Sequence, residues 1–115
     1  MNVWAVMQFG LAMLAGDPTP KPPPPPTPNV ALASWYAEHG TGACGVGDVQ
    51  SGYRFASLFL ACGTPIRFRH GRNTVTATMS DHGPYVSGRT FDLNAALKAA
   101  LACSDLCTVR WGYVR

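Results

Sequence analysis

The chain has 115 residues, 13% of them charged, and a net charge of +3. That length holds one domain, and no basic helix, zinc-finger spacing or Gly-aromatic strand motif accompanies the modest positive charge, so no nucleic-acid partner is expected. Of ten prolines, eight fall between Pro18 and Pro28, which leaves residues 31–115 as the part able to build a core.

In chain order, residues 1–16 form a hydrophobic segment. Its apolar core is too short to span a membrane comfortably and suits a secretory signal or an anchor. No Lys or Arg precedes it, and Leu14-Ala15-Gly16 is a weak cleavage site. Membrane contact is expected only through this segment, if it is not cleaved. Residues 17–30 are a proline-rich linker centred on Lys21-Pro22-Pro23-Pro24-Pro25-Pro26. Such a run adopts an extended polyproline helix and works as a semi-rigid spacer, with an SH3-type ligand as the other reading.

Residues 31–36 read as a strand ending in Trp35-Tyr36, and residues 39–52, with five glycines, as a loop of tight turns. A short apolar run occupies 55–60. Pro65-Ile66-Arg67-Phe68-Arg69 alternates with period two, and so does 74–79, where Val75, Ala77 and Met79 share a face. With His70-Gly71-Arg72-Asn73 between them, these strands predict a hairpin. Its arginines, Arg67, Arg69 and Arg72, read either as a solvated face or as contacts for an anionic polymer.

Leu93, Ala96, Leu97, Ala100 and Leu101 recur as one apolar stripe of a short helix. Residues 108–114 close the chain as a strand with Val109, Trp111 and Tyr113 on one face, which places Trp111 in the core. Many short strands with one late helix predict a small closed barrel, because closure removes exposed strand edges. Cys44, Cys62, Cys103 and Cys107 permit three pairings; Cys44–Cys62 with Cys103–Cys107 is the simplest. Their spacing does not suit a metal site, and neither a metal nor a cofactor is expected. Disulfides imply an oxidising compartment, hence a secreted or cell-envelope address.

Between the hairpin and the helix lies Ser80-Asp81-His82-Gly83-Pro84-Tyr85-Val86-Ser87-Gly88-Arg89-Thr90-Phe91-Asp92-Leu93. Two carboxylates bracket a Gly-Pro break. The plain readings are that Asp81 bonds its own turn and Asp92 caps the helix. The functional reading makes Asp81 and Asp92 catalytic carboxylates acting on a glycan. Trp35, Tyr36, Tyr53 and Tyr85 are candidate platforms for the apolar faces of sugar rings. Arg89 is a candidate contact for a substrate carboxylate or a partner for either aspartate, and His82 lies in the turn beside them.

Ala33-Ser34-Trp35-Tyr36, Gly63-Thr64-Pro65-Ile66-Arg67, the Asp81-His82-Gly83-Pro84 segment and Phe91-Asp92-Leu93 resemble the rare lipoprotein A family. Gly42-Ala43-Cys44-Gly45-Val46-Gly47-Asp48 with Phe91-Asp92-Leu93 is similar to expansins, barwin-like proteins and related endoglucanases. Both resemblances imply a mainly β fold, a six-stranded double-psi β-barrel with one or two short helices, over residues 31–115. The first implies a lytic transglycosylase that cleaves peptidoglycan strands, with Asp81 as its central group. In that reaction the sugar's C6 hydroxyl attacks while one carboxyl acts first as acid and then as base. For that, the pKa of Asp81 must be raised by burial or by a neighbouring carboxylate such as Asp92. The second implies a non-catalytic wall-loosening module in which Asp92 is the essential position. The chain departs from the rare lipoprotein A pattern at two places. No glutamate stands in 42–52, where Asp48 is nearby, and Ser57 occupies the histidine position. Peptidoglycan or a related glycan polymer is the expected partner, and a place in a larger envelope or tail assembly is a third reading.

Overall fold

The computed structural model describes residues 29–115. The hydrophobic segment 1–16 and the linker as far as residue 28 lie outside the described residues. Six strands and one helix follow in order: β1 Asn29–Tyr36, β2 Arg54–Ala56, β3 Pro65–His70, β4 Asn73–Asp81, β5 Phe91–Asn94, α1 Ala95–Ala100 and β6 Cys107–Tyr113. They close into a barrel in the order β1-β5-β2-β4-β3-β6. Two pairs, β1–β5 and β2–β4, run parallel, and the others run antiparallel. This is the mainly β, six-stranded double-psi barrel that the sequence predicts.

The alternating patterns fold as their period requires. Ile66 and Phe68 point inward and are fully buried, while Arg67 and Arg69 are exposed. Ala77 and Met79 come from the facing strand, in a register where His70 pairs with Asn73. The core is aromatic at its centre. Phe91 lies with ring centroids 5.0 Å from Phe68, 5.5 Å from Phe55 and 5.2 Å from Trp111, spacings at which edge-to-face pairs are favourable. Trp111 is only partly buried, packed on the core from its margin.

Both disulfides form in the simplest pairing, Cys44–Cys62 and Cys103–Cys107. The first ties the glycine-rich loop to the turn before β3. The second closes the turn between α1 and β6.

Three local readings need correction. The first strand starts at Asn29, two residues ahead of the expected position, because Asn29 and Val30 pair with Trp111 and Arg110 of β6. The apolar run 55–60 is strand only to Ala56. Ser57 then accepts hydrogen bonds from the Phe59 and Leu60 amides, and the resulting turn leaves Leu58 and Phe59 exposed. Most consequentially, Asp92 does not cap the helix. β5 continues to Asn94, since Leu93 and Asn94 pair with Trp35 and Tyr36, and it is the Asn94 side chain that accepts the Leu97 amide at 2.9 Å. Leu93 therefore belongs to the sheet and only Leu97 and Leu101 continue the buried stripe.

Asn94 is fully buried and also donates to the Val49 and Gly52 carbonyls. Asn94→Ala loses a cap, one of the two donors to the buried Val49 carbonyl, and the donor to Gly52. It is expected to cost about 2–3 kcal/mol, measured by urea unfolding. A loss below about 0.5 kcal/mol would mean that solvent satisfies those groups.

Candidate functional site

The site is built from a row of residues that crosses four strands. Ser34 of β1 pairs with Asp92 of β5, Asp92 pairs with Ala56 of β2, and Ala56 pairs with Asp81 of β4. The two aspartates thus flank one alanine, with backbones about 10 Å apart at ordinary strand spacing. The small, buried Ala56 side chain forms the floor between them.

Over this row lies a cleft of about 220 Å³, lined by Tyr36, Glu38, His39, Gly40, Thr41, Val49, Ala56, Asp81, His82 and Asp92. Asp81 is oriented by its own backbone and by the glycine-rich loop: one carboxylate oxygen accepts the Ala43 amide at 2.7 Å and the His82 amide at 2.9 Å. Its carbonyl accepts the amide of Ser57. Asp92 accepts a hydrogen bond from the Ser34 hydroxyl at 3.1 Å. Half-burial pushes the Asp92 carboxyl up from its ordinary value. The negative charges of Glu38 and Asp81 add to this, while the Ser34 bond and the Arg89 charge oppose it.

Tyr36 donates its hydroxyl to the Val49 carbonyl at 3.0 Å. Burial, then the charges of Asp81 and Asp92, hold its phenol far above the ordinary value, so it remains a donor. The cleft's outer lip is a polar clasp. His39 pairs with Asp48 at 2.9 Å, and the Gln50 amide nitrogen bonds the carboxylate of Asp48 at 2.8 Å. That backbone bond first, and His39 second, hold the carboxyl of Asp48 below its usual range. The Gln50 side chain donates to the carbonyls of Tyr36 and Glu38 and accepts from Ala95, joining β1, the loop and α1.

The sequence-predicted residues separate cleanly. Asp81, Asp92, Tyr36 and His82 line the cleft. Arg89 lies outside the lining but near enough for its charge to act on Asp92. Tyr85 is 79% exposed, with its ring beside Gly83, one residue from His82. Tyr53 is exposed and away from the lining. Trp35 is not a platform of this cleft: successive strand side chains point to opposite faces, and Trp35 bonds Asp105 at 3.0 Å with Lys98 4.8 Å above its ring. Ser57 is fully buried as a turn cap, shut away from the cleft.

Glu38 was not singled out by sequence reasoning. The period-two series Ser34, Tyr36, Glu38, extended past the end of β1, is the signal that finds it. As for metal ligands, His70, Cys103 and Cys107 bring their ligand atoms within 4.8 Å of one another, but both sulfurs are consumed in the disulfide.

Gly42 holds the loop against Asp81. A Cβ there would stand 2.7 Å from the Ser80 carbonyl oxygen and 2.8 Å from both the Asp81 carboxyl carbon and the Val49 side chain. Gly42→Ala is expected to cost about 1–3 kcal/mol and to break the Ala43–Asp81 bond. The Ala43 amide should then exchange with solvent faster than in the parent. Unchanged exchange would show that the loop accommodates the methyl group.

No family model matches the chain, and no curated protein sequence matches it. Eight chains of known structure do. The apo expansin of Clavibacter michiganensis superposes with a TM-score of 0.66 at 19% identity, covering 77% of this chain and 51% of that one. An aspartate-to-asparagine mutant of the same expansin in complex with cellohexaose gives 0.65 at 18%, with the same coverage. The chain therefore spans about half the length of those expansins. A Streptomyces papain inhibitor gives 0.62 at 20%, covering 77% of this chain and 96% of that one. These likenesses show a shared barrel.

Proposed function

We propose that this protein is a cell-wall glycan-binding module of the expansin type, which grips a β-linked glycan along the cleft between Asp81 and Asp92. The observation that carries this reading is the Ser34-Asp92-Ala56-Asp81 row. It sets two carboxyls of different character on either side of a shallow, small-residue floor, where a sugar hydroxyl can be gripped from both sides. The expansin barrels, one of them described in complex with cellohexaose, support the ligand class. The two disulfides fit an oxidising, extracytoplasmic address. In that setting the hydrophobic residues 1–16 serve as signal or anchor, and the proline linker lets the barrel reach away from a surface.

A specific feature favours a second reading, a lytic transglycosylase. Asp92 is the carboxyl that burial biases toward its protonated form, which gives it the character of a proton donor to a leaving oxygen. Asp81 then supplies the neighbouring charge.

One experiment separates the two. The full chain is incubated with peptidoglycan sacculi and, separately, with cellohexaose. Binding is measured by pull-down and calorimetry, and products by mass spectrometry. Binding without new chain ends is the expected result. Anhydro-muropeptides that disappear in Asp92→Asn would establish the transglycosylase. Absence of binding to either glycan would sink both readings and favour a component of a larger assembly.

A further inference from the structure

The barrel is electrically divided. Glu38, Asp48, Asp81 and Asp92 all gather around the cleft, and Asp105 sits with Trp35 and Lys98. Asp17, outside the described residues, is the only other acidic residue in the sequence. The outer face of the β3–β6 pair carries the opposite charge. β3 stands three strands away from β5 around the barrel, so this face is on the wall away from Asp92.

Arg69 and Arg110 are paired residues of antiparallel β3 and β6, both exposed. Like charges directly opposite each other on neighbouring strands destabilise the pairing. No carboxylate among the described residues offsets them. Arg67 lies two residues along the same face and pairs with Gly112, which has no side chain to fill the space between. Two shallow grooves meet at the Arg69–Arg110 pair. One, of about 270 Å³, runs from Arg69 past Arg67 and Thr74 along Gly112. The other, of about 340 Å³, runs to His70 and Thr108.

We propose that this face is a second binding site, for an anionic polysaccharide. Guanidinium forks take carboxylate or phosphate groups in bidentate geometry, and an anion bound there relieves the repulsion between Arg69 and Arg110. Arg67 and Arg69 are spaced by about 7 Å along the strand, which suits successive charges of a polymer better than one small ion. The molecule then bridges two kinds of wall polymer, one held in the acidic cleft and one on the basic wall.

The test uses the full chain with polygalacturonate, which carries carboxylates, and phosphomannan, which carries phosphates. Dextran is the neutral control, and polyglutamate and single-stranded DNA are the controls for charge without an acidic sugar chain. At least one anionic polysaccharide is expected to bind about tenfold tighter than dextran, with affinity falling as salt rises. The one preferred identifies the charged group. Arg69→Ala with Arg110→Ala should lower that affinity about tenfold. The double variant should melt within a few degrees of the parent, since the repulsion removed offsets the bond lost from Arg69 to the Gly71 carbonyl. Asp81→Asn with Asp92→Asn should leave this binding intact, so failure of the cleft reading and failure of this one are told apart. Equal affinity for polyglutamate or DNA would overturn the proposal. So would undiminished binding by the folded arginine variant.

Discussion

Phe91→Ala is expected to lower the stability of the barrel by about 3–5 kcal/mol, a large share of what a domain of this size possesses. Phe91 is fully buried and meets Phe55, Phe68, Phe59 and Trp111, so truncation removes the ring on which strands from both sides of the barrel converge. β5 is only four residues long, and its neighbours have little else to close upon. A cavity at the centre of a closed barrel also collapses poorly, because every wall is fixed by hydrogen bonds to the next. The midpoint of thermal unfolding should fall by more than about 15 °C. Phe59→Ala is the control: Phe59 touches the same ring but is 54% exposed, and its loss should cost about 1 kcal/mol or less. If the two variants melt together, the aromatic cluster is not the centre of the fold.

What the sequence makes legible follows from period and from local chemistry. The β3–β4 hairpin is written in two alternating runs that leave one register possible, and the adjacent pairing of cysteines needs only short loops. The barrel's closure and its crossing parallel pairs are long-range. Closure itself follows from many short strands that gain by losing their edges, but the crossing pairs are reached through resemblance, since nothing in the spacing of Ser34, Ala56, Asp81 and Asp92 says that these four align. The helix start shows how local rules compete. Phe91-Asp92-Leu93-Asn94 offers two capping side chains, and propensity alone does not choose between them. Pairing with β1 on one side and β2 on the other extends β5 past Asp92, which hands the cap to Asn94 and turns Asp92 toward the cleft. Trp35 and Tyr36 illustrate the reverse case. Adjacent residues in one strand cannot share a face, so a strict use of period two already separates them. Tyr36 goes to the cleft and Trp35 to Asp105 and Lys98.

Asp92→Asn is expected to raise the melting temperature near neutral pH while lowering glycan affinity about tenfold. Burial first, and then Glu38 and Asp81, raise this carboxyl above its value in the unfolded chain, so the folded state holds the proton more tightly. The stability linked to that proton is fully present below the unfolded pKa and is lost as pH rises through the higher folded value. Above it, an ionised and half-buried Asp92 burdens the fold. Asparagine keeps the shape and still accepts the Ser34 hydroxyl, yet carries no charge to desolvate. The gap in melting temperature between variant and parent should therefore widen from acid toward neutral pH, while cellohexaose affinity, measured by calorimetry, is weaker in the variant. A variant that is stabilised but binds as before would make Asp92 a structural burden with no part in recognition. One that is destabilised at neutral pH would show that the carboxylate is held by partners stronger than Ser34 and Arg89. A residue that costs stability and is repaid only when a glycan is bound is what a binding cleft, as opposed to a turn or a cap, requires of its carboxylates.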